Sequence, residues 1–267
     1  NGQRSMIIDL KTTDPAGWER DKAPAHTPEQ VIYELHIKDF SWDLHGGFDA
    51  KDRGKFSAFL RTGTTLNGEG KFSTGLDYLK KLGVTAVYLN PIFVAPSMHK
   101  YDCIDYFHVD PHFGGDEALA ELSKALHENG MKLILDISIN HTGTSHRWFN
   151  RDGVYFDKSE GAYHNPDSLE RKFYFFNEDN TYHGWFGNDN MPTLNYTSEE
   201  LRDIIYRRPD SVLRKWLRPP YSIDGWRFDV ADVFARNGEY QLAHELWPEI
   251  RKAIREENPE AYILAED

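Results

Sequence analysis

The sequence predicts an α/β fold: a partial (β/α)8 barrel, present as about its first five strands, with a subdomain inserted after the third. Three observations point there. From Val31 onward, short apolar runs rich in β-branched and aromatic residues alternate with amphipathic stretches, the rhythm of parallel strands joined by right-handed crossovers. No glycine-rich phosphate turn follows a strand, which disfavours an open doubly wound sheet. Charged and polar residues crowd the C-terminal ends of the strands, where barrel enzymes carry their chemistry.

The strands are expected at Val31–Ile37, Ala86–Leu89, Lys132–Ile137, Asp224–Phe228 and Ala261–Ala265. Helices are expected at Ser73–Leu82, Asp116–Asn129, Ser198–Leu217 and Glu239–Glu257, several closed by Gly or Asn. Before them, a short strand over Met6–Leu10 runs into a connector through Pro15, Pro24 and Pro28. The stretch from Asn140 to Ser198 is too long for an ordinary βα loop and is dense in aromatic residues and Asn. The expected organisation is therefore a linker and domain tail over 1–28 and a first barrel part over 29–141. An inserted subdomain over 142–197 and a second barrel part over 198–267 complete it.

A net charge of −12 disfavours nucleic acid as a partner, because phosphate binding depends on clustered Lys and Arg. Aromatic residues at 14% in an acidic chain suit neutral sugars, whose CH faces stack on rings while their hydroxyls meet carboxylates. No apolar run reaches the length of a membrane span, so no membrane partner is expected. The one cysteine, Cys103, has no internal disulfide partner and leaves the compartment open between cytoplasm and secretion.

The chemistry lies at the strand ends. The third strand runs from Leu133 into Asp136, Asn140 and His141. In the fourth, Arg227 and Asp229 stand two residues apart and project to one side. A guanidinium beside a carboxylate keeps it ionised, as a nucleophile requires. The fifth strand ends in Glu266 after an apolar run, which predicts a partly desolvated, proton-holding general acid. Adjacent strands thus deliver two carboxyls, expected roughly 5–5.5 Å apart as in retaining glycosidases.

The run Asp136–His141, Gly225-Trp226-Arg227-Phe228-Asp229 and Ile263-Leu264-Ala265-Glu266 resemble three signature regions of the α-amylase superfamily, glycoside hydrolase family 13. The resemblance implies an enzyme cleaving α-linked glucans. It further implies Asp229 as nucleophile, Glu266 as acid/base, Arg227 fixing Asp229 and Asp136 supporting the site. Asn140 would hold the loop, and His141 would bond the sugar.

His99–Tyr106 and Met191-Pro192-Thr193-Leu194-Asn195 are similar to neopullulanases, cyclomaltodextrinases and maltodextrin glucosidases. That likeness makes Tyr101 a sugar platform beside His99. Met6–Trp18, Ile32–Ser41, Gly54-Lys55-Phe56 and the Thr62–Leu79 region instead resemble the barrel entry of type I pullulanases, and 1–28 would trail from a β-sandwich. Val230-Ala231-Asp232-Val233 departs from the Val-Ala-Asn-Glu of neopullulanases, which puts dual α-1,4 and α-1,6 cleavage in question. Endo-acting α-amylase and α-1,6 debranching stay open as alternatives, as does a non-catalytic glucan-binding protein.

Trp185, Trp148, Tyr163 and Phe186 read either as sugar platforms or as subdomain core. No cofactor is required by carboxyl chemistry. A calcium ion is allowed, with oxygens from Asn140, Asp43, Asp49 or Asp52. The superfamily's third catalytic Asp, at the seventh strand, has no position here. The rest of the barrel is expected from the same parent polypeptide.

Overall fold

The computed structural model describes residues 9, 17–20 and 29–266. Its strands are β1 (Ile32–Leu35), β2 (Ala86–Leu89), β3 (Phe93–Val94), β4 (Asp105–Val109), β5 (Lys132–Ile137), β6 (Gly225–Phe228), β7 (Arg236–Asn237), β8 (Tyr240–Gln241) and β9 (Tyr262–Ala265). Its α-helices are α1 (Ile37–Ser41), α2 (Gly75–Leu82), α3 (Gly115–Glu128), α4 (Glu199–Arg202), α5 (Val212–Lys215) and α6 (Ala243–Glu257). Strands β1, β2, β5, β6 and β9 lie side by side in that order, every neighbouring pair parallel. These are the five strands the sequence predicts, in chain order, as in a partial barrel.

Alternation along each strand separates two environments. Ala86, Tyr88, Ile134 and Tyr262 pack together on one side, with Leu264 against them. Val87, Leu89, Leu133, Leu135, Trp226 and Phe228 point the other way, into the main core shared with the helices. Each such buried side chain contributes roughly 1.5–3 kcal/mol. The sheet is curled, because the hydroxyl of Tyr262 on β9 donates to Gln30 Oε1 beside β1 at 2.7 Å, joining its two outermost strands. Gly225 stands opposite Tyr262 in register. A Cβ there would fall 2.3 Å from the Tyr262 carbonyl oxygen, so only glycine lets β6 and β9 approach and bring their ends together.

Four sequence expectations need correction. The first strand is shorter than Val31–Ile37, since the chain turns at His36 into α1. The predicted helix Ser198–Leu217 is broken into α4, a π-helical turn over Asp203–Arg207, and α5. Pro209 forces the break, by driving Arg208 into an extended conformation. The helix expected from Glu239 begins only at Ala243, because β7 and β8 form a hairpin turned at Gly238, with φ +57°. Finally, β3 and β4 add an antiparallel arm after β2 that periodicity did not separate from loop. The strand expected over Met6–Leu10 lies outside the described residues.

Between β5 and α4 the chain forms a small antiparallel ladder with His141 opposite Thr193, Gly184 opposite Pro192 and Phe176 opposite Tyr182. Phe149 is its packing centre, against Tyr163, Tyr174, Phe176 and Tyr182 at 4.7–5.7 Å between ring centroids. Trp148 packs on His146 and Phe173, so Trp148 and Tyr163 belong to this core rather than to an open platform. Among the described residues no helix is long and apolar enough to cross a membrane.

Candidate active site

Asp136 on β5 and Arg227 on β6 are register partners, so their side chains leave the sheet together. Asp229 follows β6 directly, and Glu266 follows β9. The Arg227 guanidinium ties all three acids: Nη1 lies 3.0 Å from Asp136 Oδ2 and 3.0 Å from Asp229 Oδ1, and Nη2 lies 2.8 Å from Glu266 Oε1. Asp136 is fully buried and also accepts from the hydroxyl of Tyr101 at 3.1 Å and from that of Tyr88. Burial raises its pKa to about 6, against the opposing pull of Tyr88 and Arg227. It is therefore ionised at neutral pH, and the same burial and its charge push both tyrosine hydroxyls well above their usual range.

Asp229 and Glu266, held on the two nitrogens of that guanidinium, also interact with each other. Burial, the charge of Asp136 and this contact raise Asp229 to about 7, more than Arg227 can offset. Glu266, with its side chain 45% exposed, is lowered by a hydrogen bond from the Val230 amide at 3.0 Å. Each shift thus runs opposite to the expected one, up for Asp229 through burial and down for Glu266 through the Val230 amide. The apolar strand run before Glu266 does not enclose its carboxyl, whereas Asp229 sits deeper and faces a second buried carboxylate. One proton shared by a coupled pair is the physical description.

Val230, whose amide donates to Glu266, adopts φ +46°, a left-handed conformation uncommon for a β-branched residue. Such backbone, held by its surroundings, is a feature of working sites. Sequence reasoning missed both Val230 and Tyr88. Tyr88 was legible in principle, as the inward-facing position of β2 two residues before the strand leaves the sheet.

The remaining expected residues form the adjoining wall. Tyr101 lies over this cluster, and His99 stacks beside it with centroids 6.0 Å apart. His141 is only 1% exposed and lies under Trp185, with centroids 5.1 Å apart and planes 25° from parallel. Burial lowers its pKa to about 4, so the ring is neutral near neutral pH. The Asn140 side-chain amide contacts His141 Nδ1 at 3.3 Å, and the Asn140 main-chain carbonyl accepts from the Leu194 amide. Trp185 thereby joins the site through His141, while Phe186 beside it is 82% exposed and touches none of the acids.

Three of the calcium donors considered, Asp52, Asp43 and Asn140, are engaged by the protein itself. Asp52 is held by Arg61 Nε at 2.7 Å and by Ser57, Asp43 caps the His45 amide, and Asn140 turns its amide to His141. Among the described residues no three His, Cys, Asp or Glu side chains converge as a metal site.

Comparison with known proteins accords with this geometry. Residues 61–267 match the α-amylase catalytic-domain family model. An amylopullulanase from Thermoanaerobacterium saccharolyticum is 36% identical over 208 residues, covering 72% of this chain and 16% of its own length. An intracellular maltogenic amylase from Bacillus subtilis is 36% identical over 197 residues, covering 72% of this chain and 29% of its own. A solved cyclomaltodextrinase superposes with TM-score 0.69 at 26% identity, over 92% of this chain and 40% of that one. The chain thus spans less than a third of these two curated relatives. With the barrel strands, the strand-end acids and the family match in agreement, the chain belongs to the α-amylase catalytic-domain family.

Proposed function

We propose that the protein is a retaining hydrolase of α-glucosidic bonds, acting on α-glucans or maltooligosaccharides. The observation that supports this most is the pair of carboxyls held on one guanidinium, Asp229 at 3.0 Å and Glu266 at 2.8 Å. An inverting enzyme needs room for a water between its carboxyls, about 6.5–9.5 Å, whereas a retaining pair stands close together. The kinship with an amylopullulanase, a maltogenic amylase and a cyclomaltodextrinase supports an α-glucan substrate.

In the proposed mechanism a glycosidic bond enters between Asp229 and Glu266 and parts them. Positive charge building at the anomeric carbon favours the anion on Asp229, and negative charge building on the leaving oxygen draws a proton from Glu266. The shared proton therefore resides on Glu266 in the bound state. An Asp229 oxygen bonds to the anomeric carbon as the glycosidic C–O bond breaks, and the leaving oxygen keeps the proton. Water then attacks that carbon, the ester to Asp229 breaks, and the water's proton returns to Glu266. Arg227 holds both acids in place, and Tyr101 offers a ring face to the sugar. Carboxyl chemistry of this kind calls for no cofactor.

The stereochemistry tests the proposal. Proton NMR of a fresh reaction on maltotetraose should show the α-anomer of the new reducing end before mutarotation; a β-anomer appearing first would rule the mechanism out. The pH profile is a second expected result. Activity needs one proton on the pair, and kcat/KM reports the free enzyme. Raising pH through about 7 strips that proton, so kcat/KM should fall on the alkaline side near pH 7. The acid limb should lie below the ordinary glutamate range, since Glu266 is lowered. An alkaline limb above pH 9 would contradict the shared-proton description.

A further inference from the structure

The hairpin β7–β8 follows Asp229 by a few residues and reaches the ladder that carries His141 and Trp185. In that ladder His141 stands opposite Thr193, Thr193 donates its amide to the His183 carbonyl, and His183 donates its amide to the Phe175 carbonyl. Residues directly opposite one another across strands share a face. His141, Thr193, His183 and Phe175 therefore share one face, the face where Trp185 covers His141. Tyr174 stands opposite Leu194, so Phe175 lies beside both Thr193 and His183, and strands about 4.8 Å apart place His183 and Phe175 each roughly 10 Å from His141.

The hairpin closes on this face at Phe175 and His183. Asn237 hydrogen-bonds the His183 ring, at 2.9 Å between Nδ2 and Nδ1. The Tyr240 ring lies 5.7 Å from Phe175, and Phe175 lies 5.9 Å from His183 with planes 22° apart. Tyr240 is 42% exposed and Phe175 half-buried, so the three rings form a ledge reachable from solvent. Flat rings in offset contact, beside polar edges from Asn237 and His183, have the chemistry that takes up the CH face of a pyranose and its hydroxyls.

We propose that Phe175, His183 and Tyr240 form an outlying sugar-binding ledge, a few glucose units from the scissile bond, and that the Asn237 contact positions it. The ledge rests on the hydrolase reading above. It gives longer maltooligosaccharides a contact that short ones cannot reach, and it makes the hairpin a determinant of chain-length preference. Because one side of the ledge comes from the ladder and the other from the loop behind Asp229, its geometry depends on both segments.

The test is steady-state hydrolysis of maltotriose and maltoheptaose by the full-length protein and by its Tyr240→Ala, Phe175→Ala and Asn237→Ala variants. The ratio of kcat/KM for maltoheptaose to that for maltotriose should fall about three- to tenfold in Tyr240→Ala and Phe175→Ala, carried by KM, as expected for loss of one ring contact. Asn237→Ala should give a smaller fall in the same ratio, partly restored in Asn237→Gln. An unchanged ratio overturns the ledge, and so does an equal loss on both substrates, which is the sign of a merely structural role. If the unsubstituted protein hydrolyses neither sugar, the hydrolase reading itself fails, a result distinct from either of these.

Discussion

Asp229→Asn is expected to reduce maltotetraose hydrolysis by about 10⁴-fold or more, the scale of loss when a nucleophile is removed. Calorimetry should still detect maltotetraose binding, because the amide keeps the side chain's size and Arg227 remains on Asp136 and Glu266. Unchanged hydrolysis would remove Asp229 from the nucleophile's role.

The same substitution carries a stability signature. The Asp229 carboxyl is raised from 3.8 to about 7 on folding, chiefly by burial. The folded chain therefore holds a proton that the unfolded chain lacks between those values. Stability from this group is complete below about pH 3.8 and is lost as pH rises through about 7. The Asn variant has no such loss, so its urea midpoint relative to the parent should improve from pH 5 to pH 8. A constant difference across that range would mean that Asp229 is ionised throughout.

Arg227→Met is expected to be the most destabilising single change at the site, at about 3–5 kcal/mol near neutral pH, the cost of stranding buried charge. It leaves Asp136 with its two tyrosine hydroxyls and no cation, facing Asp229. Hydrolysis should be lost with it. The penalty should shrink at pH 4.5, since Asp136 and Asp229 titrate at about 6 and about 7 even with the guanidinium present. Arg227→Lys should recover only part of either property, because one ammonium lacks the fork that holds Asp229 on one nitrogen and Glu266 on the other. Urea titrations at the two pH values measure this, and a loss below about 1 kcal/mol at pH 7 would mean that water already solvates the acids.

Much of the frame was legible because parallel strands buried on both faces leave continuous apolar runs. The runs ending at Leu89, Ile137, Phe228 and Ala265 each became a strand of the main sheet. The meeting of Asp136, Arg227, Asp229 and Glu266 was legible too, since a fixed strand register puts residues at equivalent depths side by side. Protonation was not. It depends on how deeply each carboxyl sits and on what it faces, and Asp229 and Glu266 differ in both respects although each follows an apolar strand.

Elements governed by a single local residue were also read too smoothly. Pro209 stops a helix that helical periodicity would carry through, and Asn237-Gly238 turns a hairpin where an amphipathic pattern had already been counted. Trp185 illustrates the remaining gap, since the sequence left it open between sugar platform and subdomain core and the fold lays this ring directly over His141.

The backward-turned peptide at Val230 makes nucleophile and acid parts of one lever. Under the proposed mechanism, esterification of Asp229 would act on the very next amide, the one that donates to Glu266. In double displacement the glutamate has to exchange donor for acceptor between the two half-reactions. A single inflexible link of main chain would time that exchange to the making and breaking of the ester, without any loop having to swing.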